Sequence, residues 1–300
     1  MSINKSGGIL LILSAAILWG TTGTAQSFSP LTLSSYWVGT GRLLVSTVFF
    51  IIWIALTDIG LLRATPLKTM PWPLILAAAV TMASYNLAFF AGVRTTSVAI
   101  GTAVALGSGP VWAGIIQAIW NRQLPDKAWW FAVIIAVTGL LIATLGSSSS
   151  FTDTPLSGIA LCLLSGLSYA VYALITKQLV TTASASLTTA MVFTGAAAMA
   201  LPAAFLLAGS PDFHPTDFAV MLWLGVVATG VAYLLFSIGL RYVSSKTGVA
   251  LALAEPIAAV ILAIVIVGER PTTLSLTGLS IVFLGLCLII RTELKQAAKH

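Results

Sequence analysis

The chain contains very few charged residues. Of its 300 residues, 7% are Asp, Glu, Lys or Arg, whereas 58% are hydrophobic. Ordinary globular domains carry about 25% charged residues, which keep their surfaces in contact with water. A chain with so few charges cannot form a soluble surface. The composition therefore excludes a soluble protein and indicates that lipid surrounds most of the molecule.

Cysteine and histidine are also scarce, with two residues of each. Cys162 and Cys287 lie inside separate apolar runs, and the histidines are His214 and His300. Neither pair has the spacing of a disulfide framework or a zinc site, so we expect no metal site. The GxSG, HExxH, GxGD and phosphate-loop motifs are missing from the sequence. We therefore expect neither an enzyme nor a bound cofactor.

Ten stretches are long and apolar enough to cross a membrane as helices. A spanning helix needs about 20 mostly apolar residues. The predicted spans are 7–27, 31–57, 70–93, 97–119, 128–146, 156–178, 185–208, 217–240, 246–267 and 273–291. The short alternating strands of a transmembrane barrel are absent. The sequence therefore predicts an all-α polytopic membrane protein.

The basic residues favour one orientation in the membrane. They stand singly between apolar runs and form no basic patch, so we exclude nucleic acid as a partner despite the net charge of +6. With a cytoplasmic N-terminus, the inside set is Lys5, Arg63, Lys68, Arg122, Lys127, Lys177, Arg241, Lys246, Arg291, Lys295 and Lys299, and the outside set is Arg94 and Arg270. Because cytoplasmic loops are enriched in Lys and Arg, we predict that both termini are cytoplasmic.

The sequence repeats itself at an offset of 147 residues. Gly92 and Arg94 of the first copy match Gly239 and Arg241 of the second. The match continues through Ser97, Gly101, Ala103 and Leu106, which correspond to Ser244, Gly248, Ala250 and Leu253. Repeats in a hydrophobic chain are typical of transporters whose halves share a central site.

The two copies must enter the membrane from opposite sides, because each contains five predicted spans and five is an odd number. We predict two inverted five-helix repeats, residues 1–147 and 155–291, and a cytoplasmic tail at 292–300. A Ser-rich linker at 147–154 separates the halves. Inverted repeats of this kind are the basis of alternating access in many transporters.

The ninth span contains Ala254-Glu255-Pro256, followed by Gly268-Glu269-Arg270-Pro271 and a last span with Gly278 and Gly285. These motifs resemble those of the drug/metabolite transporter superfamily, in its EamA-type branch with ten helices. The resemblance covers nearly the whole chain. The first half departs from the pattern, since Gly109-Pro110 stands where Glu255-Pro256 stands in the second.

The resemblance implies a metabolite exporter of the bacterial inner membrane. It also implies a central cavity lined by spans one, three, four, six, eight and nine. Within the superfamily the chain is most similar to the YddG-type exporters of aromatic amino acids. We expect its partners to be a small-molecule substrate and the lipid bilayer, and we expect the chain to act as a monomer.

Glu255 is the sharpest candidate for a substrate contact. It lies near the middle of the ninth span, where an ionised carboxylate is costly unless it is paired or hydrated. Pro256 lacks a backbone donor and leaves the carbonyl of Ala252 free. An interrupted helix at midplane depth points to a binding site. We expect Glu255 to contact a substrate ammonium or to carry a proton; a structural acid bonded to a neighbouring helix is the alternative.

Ser108, Gly109 and Pro110 form the corresponding break in the fourth span. Pro110 leaves the carbonyl of Leu106 free, and the small residues beside it allow another group to approach the backbone. The segment either lines the substrate path or is a kink for packing. We thus predict helix breaks at Gly109 and Pro110 and at Pro256.

Aromatic and amide side chains occupy the spans that the resemblance assigns to the cavity. They are Trp19, Tyr85, Asn86, Trp112, Tyr169, Tyr172 and Tyr233. Buried Tyr and Trp offer a flat apolar face and a polar tip, which suits a flat or amphiphilic metabolite. With Glu255 and Ser108 they are the predicted substrate-binding residues, although each one alone also fits a packing role.

Arg42 is a further charge within the predicted spans. It lies in the second span, which the resemblance places outside the cavity. A substrate carboxylate is one possible partner. An ion pair, or a stem that extends to the membrane surface, is the interpretation that we favour.

Together these observations predict a transporter that exports amino acids, aromatic ones included, by alternating access around a midplane site. Nucleotide sugars or drug-like amines are the alternative substrates. A non-transporting membrane scaffold is the rival class, but a scaffold has no need of two matched helix breaks or of an intramembrane acid.

Overall fold

The computed structural model describes residues 4–28, 33–57, 60, 70–122, 124–146, 154–215 and 217–297. Within these residues the chain forms ten helices that are long and apolar enough to cross a membrane, and it forms no strand. The predicted all-α fold with ten spans is therefore confirmed.

The helices are α1 Lys5–Phe28, α2 Ser35–Thr57, α3 Trp72–Thr95, α4 Val98–Asn121, α5 Lys127–Leu145, α6 Leu156–Thr182, α7 Ala185–Ala208, α8 Asp217–Leu240, α9 Ser245–Val267 and α10 Thr273–Ala297. Most of their ends agree with the predicted spans to within a few residues. The predicted start of the second span at 31 and residues 147–153 of the predicted linker lie outside the described residues.

Local signals set several helix ends. Ser97 caps α4, because its hydroxyl accepts a hydrogen bond from the Ile100 amide at 3.2 Å and satisfies a free donor of the first turn. Pro155 immediately precedes α6, where a missing backbone donor costs nothing. α9 ends at Val267, and the next residue, Gly268, has a φ of 80° in the left-handed region that glycine adopts readily.

The helices of the two halves pair with one another in a repeated pattern. α3 packs along α6, and its counterpart α8 packs along α1. α4 also packs against α6, as α9 does against α1. α2 pairs with its counterpart α7, and α5 with its counterpart α10. Each of these contacts joins one half to the other, so the surface between the halves forms the core of the protein.

Small residues make close helix contacts possible. In the pair of α5 and α10, a Cβ at Gly278 would lie 2.2 Å from the Ala143 nitrogen, and one at Gly139 would lie 2.6 Å from the Val282 nitrogen. Lipid gives helices no hydrophobic reason to associate, so close van der Waals packing of this kind supplies the attraction between them.

Hydrogen bonds close the end of the bundle at which α1 begins and α10 ends. The buried Glu293 carboxylate accepts hydrogen bonds from the Ser244 amide at 3.1 Å, from the Ser244 hydroxyl at 2.9 Å and from the Thr247 hydroxyl at 2.6 Å. It also pairs with Lys5 at 3.3 Å. We call these four residues the clasp. Nearby, Lys177 on α6 donates to carbonyl oxygens at the end of α8.

A pocket of ≈ 500 Å³ lies at the opposite end of the bundle. Its walls include Gln26 from the end of α1, Ser34 just before α2, Val38 from the first turn of α2, and Phe90 and Arg94 from the end of α3. α1 therefore runs from the clasp at one end of the protein to this pocket at the other.

Because two matched arginines lie at opposite ends of the bundle, cysteines introduced at their positions should be labelled from opposite sides of the membrane. Arg94 lines the pocket, whereas Arg241 donates to the Val180 carbonyl near the clasp. In a variant with Cys162 and Cys287 replaced by alanine, we expect Arg94→Cys to react with an impermeant maleimide on intact cells. Arg241→Cys should react only after the membrane is opened, because basic loops stay in the cytoplasm. Labelling of both from one side would contradict the inverted arrangement, and the reverse pattern would contradict the orientation.

Candidate functional site

Aromatic rings from both halves of the chain meet between helices α1, α3, α6 and α8. The Trp19 ring centroid lies 5.0 Å from that of Tyr233 and 6.1 Å from that of Tyr169. The Tyr85 ring lies 5.5 Å from Tyr169, and the Tyr172 ring lies 5.9 Å from Tyr233. The fold thus brings together five of the predicted site residues, which we call the ring cluster.

Two phenylalanines that the sequence does not single out pack against the ring cluster. Phe236 on α8 lies 5.4 Å from the Trp19 ring, and Phe193 on α7 lies 4.9 Å from the Tyr233 ring. Phe236 follows Tyr233 by three residues and shares its helix face, a spacing that could have revealed it. Phe193 comes from a helix outside the predicted cavity, and no local pattern indicates its position.

The ring cluster is buried and contains polar tips without partners. Trp19, Tyr169 and Tyr233 expose 5%, 4% and 2% of their surfaces. Among the described residues, neither Trp19 Nε1 nor the Tyr169 hydroxyl has a hydrogen-bond partner. Because buried polar groups of native proteins nearly always find a partner, these two atoms are candidates for contact with a bound molecule.

Glu255 lies where α9 changes its helical winding. Residues Ala252–Ala254 form a turn of 3₁₀ helix, and an α-helical segment restarts at Glu255 with Pro256 in its first turn. Proline fits there because amides of a first turn have no partner within the helix. The Glu255 side chain is partly exposed, and the described residues form no ion pair with its carboxylate.

α4 stays regular at the matching proline. It is helical without interruption from Val98 to Asn121, through Gly109 and Pro110. The break predicted there is therefore not an interruption of the helix, and of α4 and α9 only α9 changes its winding beside its proline. Gly109 nevertheless lies close to the ring cluster, because a Cβ at this position would sit 3.8 Å from Tyr169 Cδ1.

Gly20 on α1 sets the distance to Glu255. A Cβ at Gly20 would lie 2.9 Å from the Glu255 carbonyl oxygen and 2.8 Å from the Ala258 Cβ. α1 and α9 approach this closely because Gly20 has no side chain. Since Trp19 is the preceding residue, the same contact places the ring cluster and Glu255 at a similar level of the bundle.

Three predicted site residues do not join the ring cluster. Asn86 is buried, but its side-chain amide donates to the Met82 carbonyl on its own helix at 3.1 Å. The Ser108 hydroxyl likewise donates to the Ala105 carbonyl at 3.2 Å. Ser108 and Trp112 line a separate pocket of ≈ 320 Å³ between α4, α5 and α6.

Arg42 lies in the interior, contrary to the interpretation favoured from the sequence. It exposes 7% of its surface, its Nε donates to the Thr229 hydroxyl at 3.0 Å, and its Nη2 donates to the Ala228 carbonyl at 3.3 Å. The guanidinium also lies over the Phe90 ring, 5.4 Å from its centroid. The buried head does not fit a stem that extends to the membrane surface, and the described residues form no ion pair with Arg42.

This arrangement can hold a flat or amphiphilic molecule between the halves. Aromatic faces bury apolar surface, and the free N–H and O–H tips can bond to polar groups of a ligand. A carboxylate beside aromatic rings attracts a cation through its charge, and the ring faces add to that attraction.

The sequence of this chain is similar to those of known proteins. Residues 6–145 and 156–291 each match the EamA-like transporter family. The chain is 35% identical over 289 residues to the uncharacterized transporter YwfM of Bacillus subtilis (strain 168). This alignment covers 96% of this chain and 95% of the relative. It is 26% identical over 296 residues to the uncharacterized transporter YxxF of the same organism, in an alignment that covers 96% of this chain and 91% of the relative.

A solved crystal structure has a similar fold. The TM-score is 0.79, and the match covers 97% of this chain and 99% of that chain at 16% sequence identity. At so low an identity, the likeness establishes the fold alone.

The contact at Gly20 predicts different outcomes for two matched variants on α1. Gly20→Ala would force a Cβ against Ala258 and Glu255, and overpacking of this kind costs about 1–3 kcal/mol. Gly23→Ala is the control, because a Cβ there meets nothing within 4 Å. We expect Gly20→Ala to lower the thermal unfolding temperature in detergent, and Gly23→Ala to leave it unchanged or raise it. Equal unfolding temperatures for the two variants would contradict the close contact.

Proposed function

The chain belongs to the EamA-like transporter family, and on this premise we propose that it exports amino acids, aromatic ones included, across the bacterial inner membrane. Export follows alternating access, in which a site between the two halves opens to one side of the membrane at a time. The proposed halves are residues 1–147 and 155–291. Aromatic amino acids are also the substrates of the YddG-type exporters that the sequence resembles.

The ring cluster is the observation that carries this proposal. It combines aromatic faces from both halves with the unpartnered polar tips of Trp19 and Tyr169. An aromatic side chain packs well against such rings, at centroid distances of about 4.5–7 Å. Glu255 on the adjoining α9 supplies a carboxylate for the ammonium group. An aromatic amino acid carries both of the groups that this site would recognise.

The two ends of the bundle support a conformational cycle. The clasp of Lys5, Ser244, Thr247 and Glu293 closes one end, whereas the pocket beside Arg94 lies at the other. With both termini in the cytoplasm, as we propose from the distribution of basic residues, the clasp closes the cytoplasmic side. Opening of the clasp would then admit substrate from the cytoplasm.

We propose Gly109, Pro110 and Pro256 as the positions where α4 and α9 bend during this cycle. A proline inside a helix removes one backbone hydrogen bond, so bending there costs less than elsewhere in the helix. The remaining predicted residues, Asn86, Ser108 and Trp112, would reach the substrate only after such a rearrangement.

A drug-like amine is the second candidate substrate. A protein carboxylate beside aromatic rings recognises the ammonium group of a ligand, whether or not the ligand also carries a carboxylate. Glu255 and the ring cluster therefore fit an amine as well as an amino acid, and the two substrates differ only in the anionic group.

Purified protein in liposomes tests the proposal. We expect the wild type to take up L-phenylalanine, and we expect Glu255→Gln to slow uptake about tenfold or more, because a hydrogen bond to a charged group is worth about 1.5–3 kcal/mol. Glu269→Gln is the matched control, since Glu269 is exposed and lies beyond the end of α9. Absence of flux for every amino acid in a radiolabelled panel would reject the substrate class. Equal flux in the wild type and Glu255→Gln would reject the role of Glu255.

The same liposomes distinguish proton coupling from facilitated transport. If Glu255 carries a proton, a pH gradient should accelerate uptake by the wild type, and Glu255→Gln should lose that acceleration. Flux that ignores the gradient in the wild type would reject coupling and leave Glu255 as a binding residue.

A further inference from the structure

The core of the protein consists of two hydrophobic clusters rather than one. The larger cluster fills most of the interface between the halves and includes the ring cluster. The smaller cluster, close to the pocket, consists of Val38, Phe90, Val220, Met221, Leu224 and Ala228. The boundary between the two clusters therefore crosses the interior of the protein.

Polar side chains occupy this boundary on three helices. Arg42 lies on α2, Asn86 lies one turn before Phe90 on α3, and Thr229 follows Ala228 on α8. They expose 7%, 3% and 1% of their surfaces, respectively. We call Arg42, Asn86 and Thr229 the polar layer. Burial of such groups is costly, and in membrane proteins they mark sites of function.

Arg42 is the charged member of the polar layer and forms no ion pair with the residues that the structure describes. Its Nε and Nη2 donate to Thr229 and Ala228, and the described residues supply no acceptor to Nη1. An unpaired arginine within a membrane helix is energetically costly, a cost that an anionic ligand would offset.

The guanidinium is held in place before any ligand arrives. The Thr229 hydroxyl that accepts from Arg42 itself donates to the Leu224 carbonyl at 2.6 Å, beside the π-helical turn Val226–Val231 of α8. The guanidinium also lies over the Phe90 ring, 5.4 Å from its centroid. Turns of π helix are frequent at functional sites. A donor that is already ordered loses little entropy on binding.

Arg42 and Glu255 lie near the same rings without pairing with each other. Arg42 bonds to Thr229, which lies four residues before Tyr233 on α8. The Glu255 backbone lies against Gly20, and the preceding residue, Trp19, has its ring 5.0 Å from that of Tyr233. Yet Arg42 and Glu255 form no ion pair. A molecule that carries a negative and a positive group can therefore place one beside each residue. Arg42 comes from the first half of the chain and Glu255 from the second.

We propose that Arg42 binds the carboxylate of the transported molecule while Glu255 binds its ammonium, so that the site selects α-amino acids over amines. This inference rests on the proposed function and adds a specific anion site to it. A guanidinium and a carboxylate pair through parallel N–H donors, and the pair is stronger and more directional than that formed by an ammonium. Binding of the zwitterion neutralises both charges at once.

A purely structural role for Arg42 makes a different prediction. In that role the arginine would only hold the π-helical turn of α8 in place. Its loss would then disturb Tyr233 and Phe236, which α8 contributes to the aromatic rings around Trp19. Every ligand that packs on those rings would be weakened to a similar extent, whatever its charge.

Three ligands with the same ring separate these roles. L-Phenylalanine carries both charges, 2-phenylethylamine carries only the ammonium, and 3-phenylpropionate carries only the carboxylate. Their binding to the purified full chain is measured by isothermal titration calorimetry, and their uptake is measured in liposomes. The proteins compared are the wild type, Arg42→Gln, Arg42→Lys and Glu255→Gln, each with its thermal unfolding temperature.

We expect Arg42→Gln to weaken L-phenylalanine and 3-phenylpropionate about tenfold or more and to leave 2-phenylethylamine unchanged. Glu255→Gln should give the mirror result, with L-phenylalanine and 2-phenylethylamine weakened and 3-phenylpropionate unchanged. Arg42→Lys should fall between the wild type and Arg42→Gln, because lysine keeps the charge but not the planar donors.

Equal weakening of all three ligands in Arg42→Gln, or no weakening of any, would overturn the inference. If Arg42→Gln does not fold, the ratio of L-phenylalanine to 2-phenylethylamine affinity in Arg42→Lys decides instead. A ratio equal to that of the wild type would then overturn the inference.

Failure of the anion site is distinguishable from failure of the proposed substrate. If the wild type transports 2-phenylethylamine but binds neither L-phenylalanine nor 3-phenylpropionate, the anion site is rejected and the protein is an amine transporter. Binding of 3-phenylpropionate that depends on Arg42, without transport of L-phenylalanine, would reject the substrate and support the anion site. Binding of none of the three ligands would reject both.

Discussion

The hydrocarbon core of a membrane offers no hydrogen bonds, and the architecture of this protein follows from that constraint. Backbone groups must be satisfied within the chain, which leaves helices as the solution for a sequence of this composition. The same constraint favours large apolar side chains on the outer faces, and exposed residues such as Leu10, Ile51, Phe131 and Val265 have this character. Arg42 lies between the halves, where Thr229 and Ala228 of another helix accept its hydrogen bonds.

Close packing between the halves depends on small residues. Gly20 lets α1 approach α9, and Gly139 with Gly278 lets α5 approach α10. Since such contacts join one half to the other, any movement of the halves must break and reform them. The clasp adds hydrogen bonds and an ion pair at one end of the bundle, which gives that end a discrete closed arrangement.

The two halves are alike in their helices but different in their charges. α7, the counterpart of α2, has no basic residue, and Gly109 of α4 stands where Glu255 stands in α9. The first half therefore contributes the cationic side chain of Arg42 near the ring cluster, and the second half contributes the carboxylate of Glu255. Under our proposals this asymmetry orients a zwitterion between the halves, whereas the shared helix pattern lets the site open to either side.

The ten spans, the duplication and the candidacy of Glu255 could be predicted from the sequence, because hydrophobicity, repeat spacing and proline positions are properties of the chain itself. Most residues of the ring cluster could be named from the sequence as well, but they could not be distinguished from Trp112 and Ser108, which line another pocket.

The depth of a residue in a span follows from its position in the sequence. The direction of its side chain depends on how neighbouring helices rotate and pack. Only the tertiary structure therefore decided that Arg42 faces the interior, since its partners come from α3 and α8.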